Sequence, residues 1–224
     1  IHAYYTAMQS ILNPGDDVLI PDPSWATHSN MAIMLRGNVI RIPAPAENGF
    51  IPHFESWEKA ITPKTRLIVL NYPSNPTGAY PTREYLQRLQ DFAKAHDLWI
   101  VSDEVYGSLY YGERPTSAAA LDGAKERTLL VNSLSKSYAM TGWRVGWVLA
   151  APDLTDSIRK VHDFLTVGAA APLQQAGTLA LSMPDEYYAE LASKYAMRRD
   201  TLLEILTSAG FACFRPNGAY YIMT

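Results

Sequence analysis

Between Val131 and Gly146 the chain reads V-N-S-L-S-K-S-Y-A-M-T-G-W-R-V-G, with one lysine set among small hydroxyl residues. Ser133 and Ser135 flank Lys136 closely, and Arg144 follows eight residues later. An apolar run, Thr128–Val131, leads into the stretch, and a second run, Arg144–Ala150, leads out of it. An amine held among apolar residues has a lowered pKa, and in its neutral form it can attack a carbonyl. A guanidinium together with hydroxyls suits a phosphate monoester. The chemistry these residues support is capture of a ligand that carries both a carbonyl and a phosphate. A lone loop lysine is otherwise ordinary solvated surface, so the reading depends on what the rest of the chain brings to Lys136.

The elements that must position it alternate. Ile1, Tyr5, Met8 and Leu12 recur at helical spacing, so the chain opens in an amphipathic helix with no capping residue, as if a piece preceded it. After the turn Asn13–Asp16 come a short strand at Val18–Ile20 and a helix through Leu35, with Ser24 expected to cap it and Gly37 to close it. Trp25 and His28 share one face of that helix, where a tryptophan is ordinarily core. A strand at Asn38–Ile42, a helix at Phe54–Ile61 and a continuous apolar strand at Arg66–Asn71 follow. Thr82 caps a helix running to about His96 with Leu86, Leu89 and Ala93 inward, and the strand Leu98–Val101 leads to Ser102-Asp103-Glu104-Val105-Tyr106.

Helices are expected over Asp153–Thr166, Leu173–Ser182 and Pro184–Ser208, then short strands at Phe211–Phe214 and Ala219–Met223. The alternation predicts an α/β domain with a mainly parallel sheet, whose ligands bind beyond the carboxyl ends of the strands. Asn75, Asp103 and the Ser133–Lys136 cluster each follow such an end.

Composition narrows the classes. At 224 residues with 48% apolar and 18% charged residues, the chain can bury a substantial core. A net charge of −3 with no Lys/Arg run offers no field for a nucleic acid, and no apolar run reaches membrane-spanning length. The start of the chain has no signal-peptide pattern, and a single cysteine, Cys213, fits a reducing, cytoplasmic setting and a small core residue. His2, His28, His53, His96 and His162 form no metal-binding pair. Dinucleotide and P-loop glycine motifs and a hydrolase nucleophile elbow are all absent. The remaining fit is pyridoxal 5′-phosphate, which needs a lysine for its aldehyde and an acid for its pyridine nitrogen, and Asp103 is the candidate acid.

Four motifs in order carry a family resemblance: Pro14–Trp25 (P-G-D-x-V-L-I-P-x-P-S-W), Asn75–Gly78 (N-P-T-G), Asp103–Tyr106 (D-E-V-Y) and Ser133–Gly146 (S-L-S-K-x-x-x-M-T-G-W-R-V-G). Over essentially its whole length the chain resembles the class I/II, fold-type I pyridoxal-phosphate-dependent aminotransferases, of the aspartate and aromatic kind. The resemblance implies a three-layer large domain over residues 1–183. Residues 184–224 would then be the interdomain helix and the first strands of a small α+β domain. It implies Lys136 as Schiff-base lysine and proton shuttle, Asp103 on the pyridine nitrogen, and Asn75 and Tyr106 on the ring's 3-oxygen. Ser133, Ser135 and Arg144 would hold the phosphate, Trp25 would stack on the ring rather than serve as core, and His28 would support Asp103. Pro23 and Pro76 are candidates for cis peptide bonds.

The same resemblance implies ping-pong transfer of an amino group from an L-amino acid to a 2-oxo acid. It also implies a homodimer with active sites at the interface. Two family segments have no counterpart, a phosphate-cupping loop ahead of Ile1 and a carboxylate-binding arginine beyond Thr224, so the chain reads as an excerpt that is not expected to be fully active alone. Aspartate is the expected donor, with aromatic or kynurenine-type donors close behind. The alternatives are an aminocyclopropane-carboxylate synthase or carbon–sulfur lyase of the same fold, the ligand-sensing domain of a transcription regulator, and an inactive scaffold.

Overall fold

The computed structural model describes residues 1–224. Six strands form one sheet: β1 (Asp17–Asp22), β2 (Asn38–Pro43), β3 (Thr65–Asn71), β4 (Trp99–Asp103), β5 (Thr128–Ser133) and β6 (Gly146–Leu149). Their order is β2-β1-β3-β4-β5-β6. Every pair is parallel except β5–β6, which is antiparallel and sets Ser133 opposite Gly146. The mainly parallel α/β sheet expected from the sequence is present.

Side chains alternate across the strands with period two, and this divides the core into two layers. Leu19, Ile68, Leu70 and Ile100 face one layer together with Phe54 and Trp57 of α3 (Phe54–Ala60) and Leu86, Leu89 and Ala93 of α4 (Arg83–Ala95). Val18, Ile20, Leu67, Val69, Val101 and Val131 face the other, against α1 (His2–Gln9) and α2 (Ala26–Met34). Both faces of the central strands are covered, which is why those strands are apolar throughout. Thr82 caps α4 as its residue type suggests, its Oγ1 accepting from Tyr85 N at 3.2 Å.

Several expectations are corrected. The buried face of α1 is Tyr4, Thr6, Ala7 and Met8; of the expected stripe Met8 is buried and Tyr5 and Leu12 pack at the margin of the core, whereas Ile1 is 64% exposed. The apolar residues on that helix admit two overlapping stripes, and the one against the sheet prevails. Ser24 does not cap α2: its Oγ is buried without a partner, and Trp25 occupies the cap position. The turn closing α2 puts Arg36, not Gly37, in the left-handed region at φ +62°, with Gly37 N donating to Ala32 O at 2.9 Å. Residues 211–223 form no strands. A single bridge, Tyr110 to Gly218, and one bond from Phe214 N to Met223 O replace a ladder. Cys213 is half-buried rather than core.

Beyond the sheet come α5 (Leu134–Ser137), α6 (Pro152–Thr166), α7 (Ala171–Leu181) and the 24-residue α8 (Asp185–Ser208). Only Leu203 of α8 is buried. No helix is long and apolar enough to cross a membrane.

Candidate active site

The carboxyl ends of β3, β4 and β5 meet at one edge of the sheet. Each ends in a polar residue because the apolar run that fills the core stops where the layers do. Asn71, the last residue of β3, is buried, and its Nδ2 donates to Asp103 O at 3.1 Å while its Oδ1 accepts from Asn75 N at 2.9 Å. It ties two strand ends to the N-P-T-G loop. The sequence reading gave it no role; the signal was a lone amide closing an otherwise apolar strand.

Asp103 ends β4 and is 7% exposed. Its Oδ2 lies 3.2 Å from Nε2 of the wholly buried His28, and its Oδ1 accepts from Val105 N at 3.2 Å. His28 is held by an edge-on contact with Trp25 at 5.3 Å and by the Tyr4 ring at 4.7 Å. Burial, and then the Asp103 charge, keep the Tyr4 hydroxyl protonated far above its ordinary range. A carboxylate has about four lone-pair sites, so Asp103 keeps acceptor capacity beyond its two protein donors.

Lys136 lies on α5, directly after β5. Ser133 Oγ caps this short helix by accepting from Ser135 N at 3.2 Å, which leaves the Ser133 hydroxyl proton and the Ser135 hydroxyl outside that bond. The Lys136 amine bonds the Tyr220 hydroxyl and lies 5.7 Å from the Tyr106 ring centre. The Tyr106 hydroxyl shares a 2.6 Å bond with Tyr221. Burial, and then the Tyr221 and Tyr220 phenols, raise its pKa, so it stays a donor. Arg144 is exposed, sits at φ +57°, and donates to Thr141 O at 2.5 Å.

Lys136 therefore lies beside Tyr106, and Asp103 ends the strand paired with the one that leads to Lys136, with His28 and then Trp25 packed beyond it, while Arg144 is exposed. Asn75 joins through its backbone, with its side chain half-buried. Beside Lys136 opens a cavity of about 430 Å³, bordered also by Ser135, Thr141, Tyr111, Tyr195, Arg198, Arg199 and Tyr220. None of the last five figured in the sequence reading, because all but one lie on α8 or the segment after it. The peptide bonds before Pro23 and Pro76 are cis, as expected, and so is the one before Pro73.

The donor set fits pyridoxal phosphate. An amine and a phenol lie side by side past β5, and the neighbouring strand ends in a hydrogen-bonded acid with spare acceptor capacity whose histidine contacts a half-buried indole.

A mainly parallel α/β sheet with a lysine just past one strand end and a buried acid–histidine pair at the next is the architecture of an α/β domain that binds its ligand at the carboxyl ends of its strands. The chain belongs to the aminotransferase class I and II family, whose model matches residues 2–224. It is 38% identical over 222 residues to an arginine–pyruvate transaminase of Pseudomonas aeruginosa, covering 99% of this chain and 56% of that one. It is 37% identical over 224 residues to an aspartate/prephenate aminotransferase of Thermus thermophilus, covering 99% and 58%. The structure of an aromatic aminotransferase from Pyrococcus horikoshii superposes with a TM-score of 0.94 at 34% identity, covering 98% of this chain and 60% of that one. The chain thus spans little more than half the length of these relatives.

Proposed function

We propose that the chain is the cofactor-binding part of an aminotransferase that moves an amino group from an L-amino acid to a 2-oxo acid. The observation that carries this reading is the Lys136 amine in the crevice whose adjacent strand end bears Asp103 paired to buried His28. Pyridoxal phosphate, when bound, supplies an aldehyde for the amino group and a ring that accepts the electron pair of the substrate Cα–H bond.

The chain's residues do the rest. Lys136 Nζ would hold the cofactor at its aldehyde end and, as a free amine, would move the substrate Cα proton. Asp103 would face the pyridine nitrogen and favour its protonated form, with His28 orienting the carboxylate. Tyr106 and the Asn75 amide hold the ring oxygen, which requires Tyr106 to exchange its bond with Tyr221. Trp25 covers a ring face and excludes water. Ser133, Ser135 and Arg144 hold the phosphate, with Arg144 swinging from Thr141 O.

In the same reading residues 1–183 form the large domain and 184–224 lead out of it. The partner is a second copy. Phe164, Val167 and Leu179, exposed at 94%, 86% and 72%, supply apolar surface for it.

The test uses the full-length protein. Borohydride reduction of the cofactor-loaded form, followed by peptide mapping, is expected to place the label on Lys136. Absence of a cofactor absorption band, or a label elsewhere, would refute the assignment. A donor panel led by aspartate, with aromatic, kynurenine-type and arginine donors beside it, then fixes the substrate.

A further inference from the structure

We propose that Tyr220 is a positioning residue for Lys136, its phenol hydroxyl holding the lysine amine in the crevice. The inference rests on the reading above, in which Lys136 is the reacting amine. No carboxylate pairs with Lys136; its polar side-chain partner is the Tyr220 hydroxyl. Nζ is 5.1 Å from the Tyr220 ring centre, at the hydroxyl end rather than over the face.

Tyr220 itself is fixed from several sides. Its ring stands edge-on to Tyr106 at 5.3 Å and 88°, and stacks on Tyr195 of α8 at 5.8 Å and 23°. The residue before it, Ala219, is wholly buried at φ +55°. A left-handed alanine persists only where its surroundings over-determine it, and here they do. Ala219 N donates to Leu109 O at 2.8 Å, Ala219 O accepts from the Tyr111 hydroxyl, and Gly218 N donates to Gly78 O at 2.8 Å. These bonds set the direction in which Tyr220 leaves the backbone.

The chemistry suits a lysine that changes protonation. Its long stem is flexible, and its ammonium can only donate. A phenol accepts from the ammonium and donates to the neutral amine, so one contact holds Nζ in both states. Tyr220 therefore keeps the amine beside Tyr106 and the end of β4 without adding a charge.

The test compares the parental full-length protein, stripped of cofactor, with Tyr220→Phe, which keeps the ring stack. Trace labelling by acetic anhydride across pH, read at Lys136 by mass spectrometry, is expected to run about five- to tenfold faster in Y220F, the worth of one hydrogen bond. In the loaded enzyme Y220F is expected to lower kcat with KM for the donor little changed. Reciprocally, Lys136→Met is expected to speed acylation of Tyr220 by N-acetylimidazole by a similar factor. Equal Lys136 labelling in Y220F and parent, or unchanged Tyr220 acylation in K136M, overturns the proposal. Faster Lys136 labelling in Y220F than in the parent, together with a parental protein that binds no cofactor, would instead uphold the Tyr220–Lys136 contact and refute the transaminase reading.

Discussion

His28 on α2 and Asp103 at the end of β4, 75 residues apart in sequence, meet at 3.2 Å between Nε2 and Oδ2 with the imidazole wholly buried. A buried carboxylate that loses such a donor keeps its desolvation cost and gains freedom to rotate. His28→Leu is therefore expected to weaken pyridoxal phosphate binding about tenfold, the equivalent of one lost buried hydrogen bond at 1–3 kcal/mol. Spectral titration of the cofactor-free protein measures it, and an unchanged Kd would remove His28 from the support of Asp103.

Gly218 makes a second long-range contact. A Cβ there would lie 2.7 Å from Pro73 Cβ and 2.9 Å from Leu109 O, so the segment after α8 docks on the loop after β3 only through a glycine. Gly218→Ala is expected to cost about 1–3 kcal/mol, as overpacking does, and to lower Tm by about 2–4 °C per kcal/mol. Tyr220, two residues on, is expected to leave Lys136 at the same time. Calorimetry reads the first effect, and faster labelling of Lys136 reads the second.

These two contacts show how far the chain could be read from its residues. The sheet was legible because continuous apolar runs such as Leu67–Leu70 admit little but a strand covered on both faces. Helix α4 was legible because Thr82 supplies the cap oxygen and Leu86, Leu89 and Ala93 the stripe. Asn75, Asp103 and the Ser133–Lys136 cluster stood out as polar residues following the ends of apolar strands, whereas Tyr106 came only from the family resemblance. What failed was local chemistry overridden by tertiary position. Ser24 is a cap residue by type, yet its Oγ lies buried and unpartnered. The stretch 211–223 looks like two strands, yet its backbone bonds go to Gly78, Leu109 and Tyr111. Tyr220 carried only one sequence signal, adjacency to a second tyrosine after Gly218-Ala219, and nothing in that pair points to Lys136 before the chain is folded.

Glu104 predicts a pH dependence of stability. Its Oε1 accepts from Ser102 Oγ at 2.9 Å and from Ala118 N at 2.8 Å. Burial raises its carboxyl pKa, the hydrogen bonds pull it back in part, and the Asp103 charge adds to the rise. A raised carboxyl favours the neutral form in the fold. Its contribution is full below the unfolded pKa of about 4.3 and is lost as pH climbs through the higher folded value. Relative to Glu104→Gln, the parental protein is expected to lose stability over that window at no more than about 1.4 kcal/mol per pH unit. Denaturant unfolding at several pH values measures the slope, and a slope of opposite sign would mean that the hydrogen bonds outweigh burial.

Arg144 separates stability from function. It is exposed, and its backbone sits at φ +57°, a conformation that costs a residue bearing a Cβ about 1–2 kcal/mol. Glycine removes that cost but loosens the unfolded chain by about 0.4–1 kcal/mol. Arg144→Gly is therefore expected to stabilise the protein by about 0.5–1 kcal/mol, less whatever the 2.5 Å bond to Thr141 O contributes at the surface. If Arg144 holds the cofactor phosphate, the same change removes a charge-assisted contact and is expected to weaken binding of pyridoxal phosphate at least tenfold, since hydrogen bonds to charged groups are worth about 1.5–3 kcal/mol. Binding of pyridoxal, which lacks the phosphate, is expected to stay unchanged. The backbone and side chain of Arg144 thus pull in opposite directions, and the two measurements, unfolding and cofactor titration, are expected to move apart. Equal loss of both cofactors would place Arg144 elsewhere than on the phosphate.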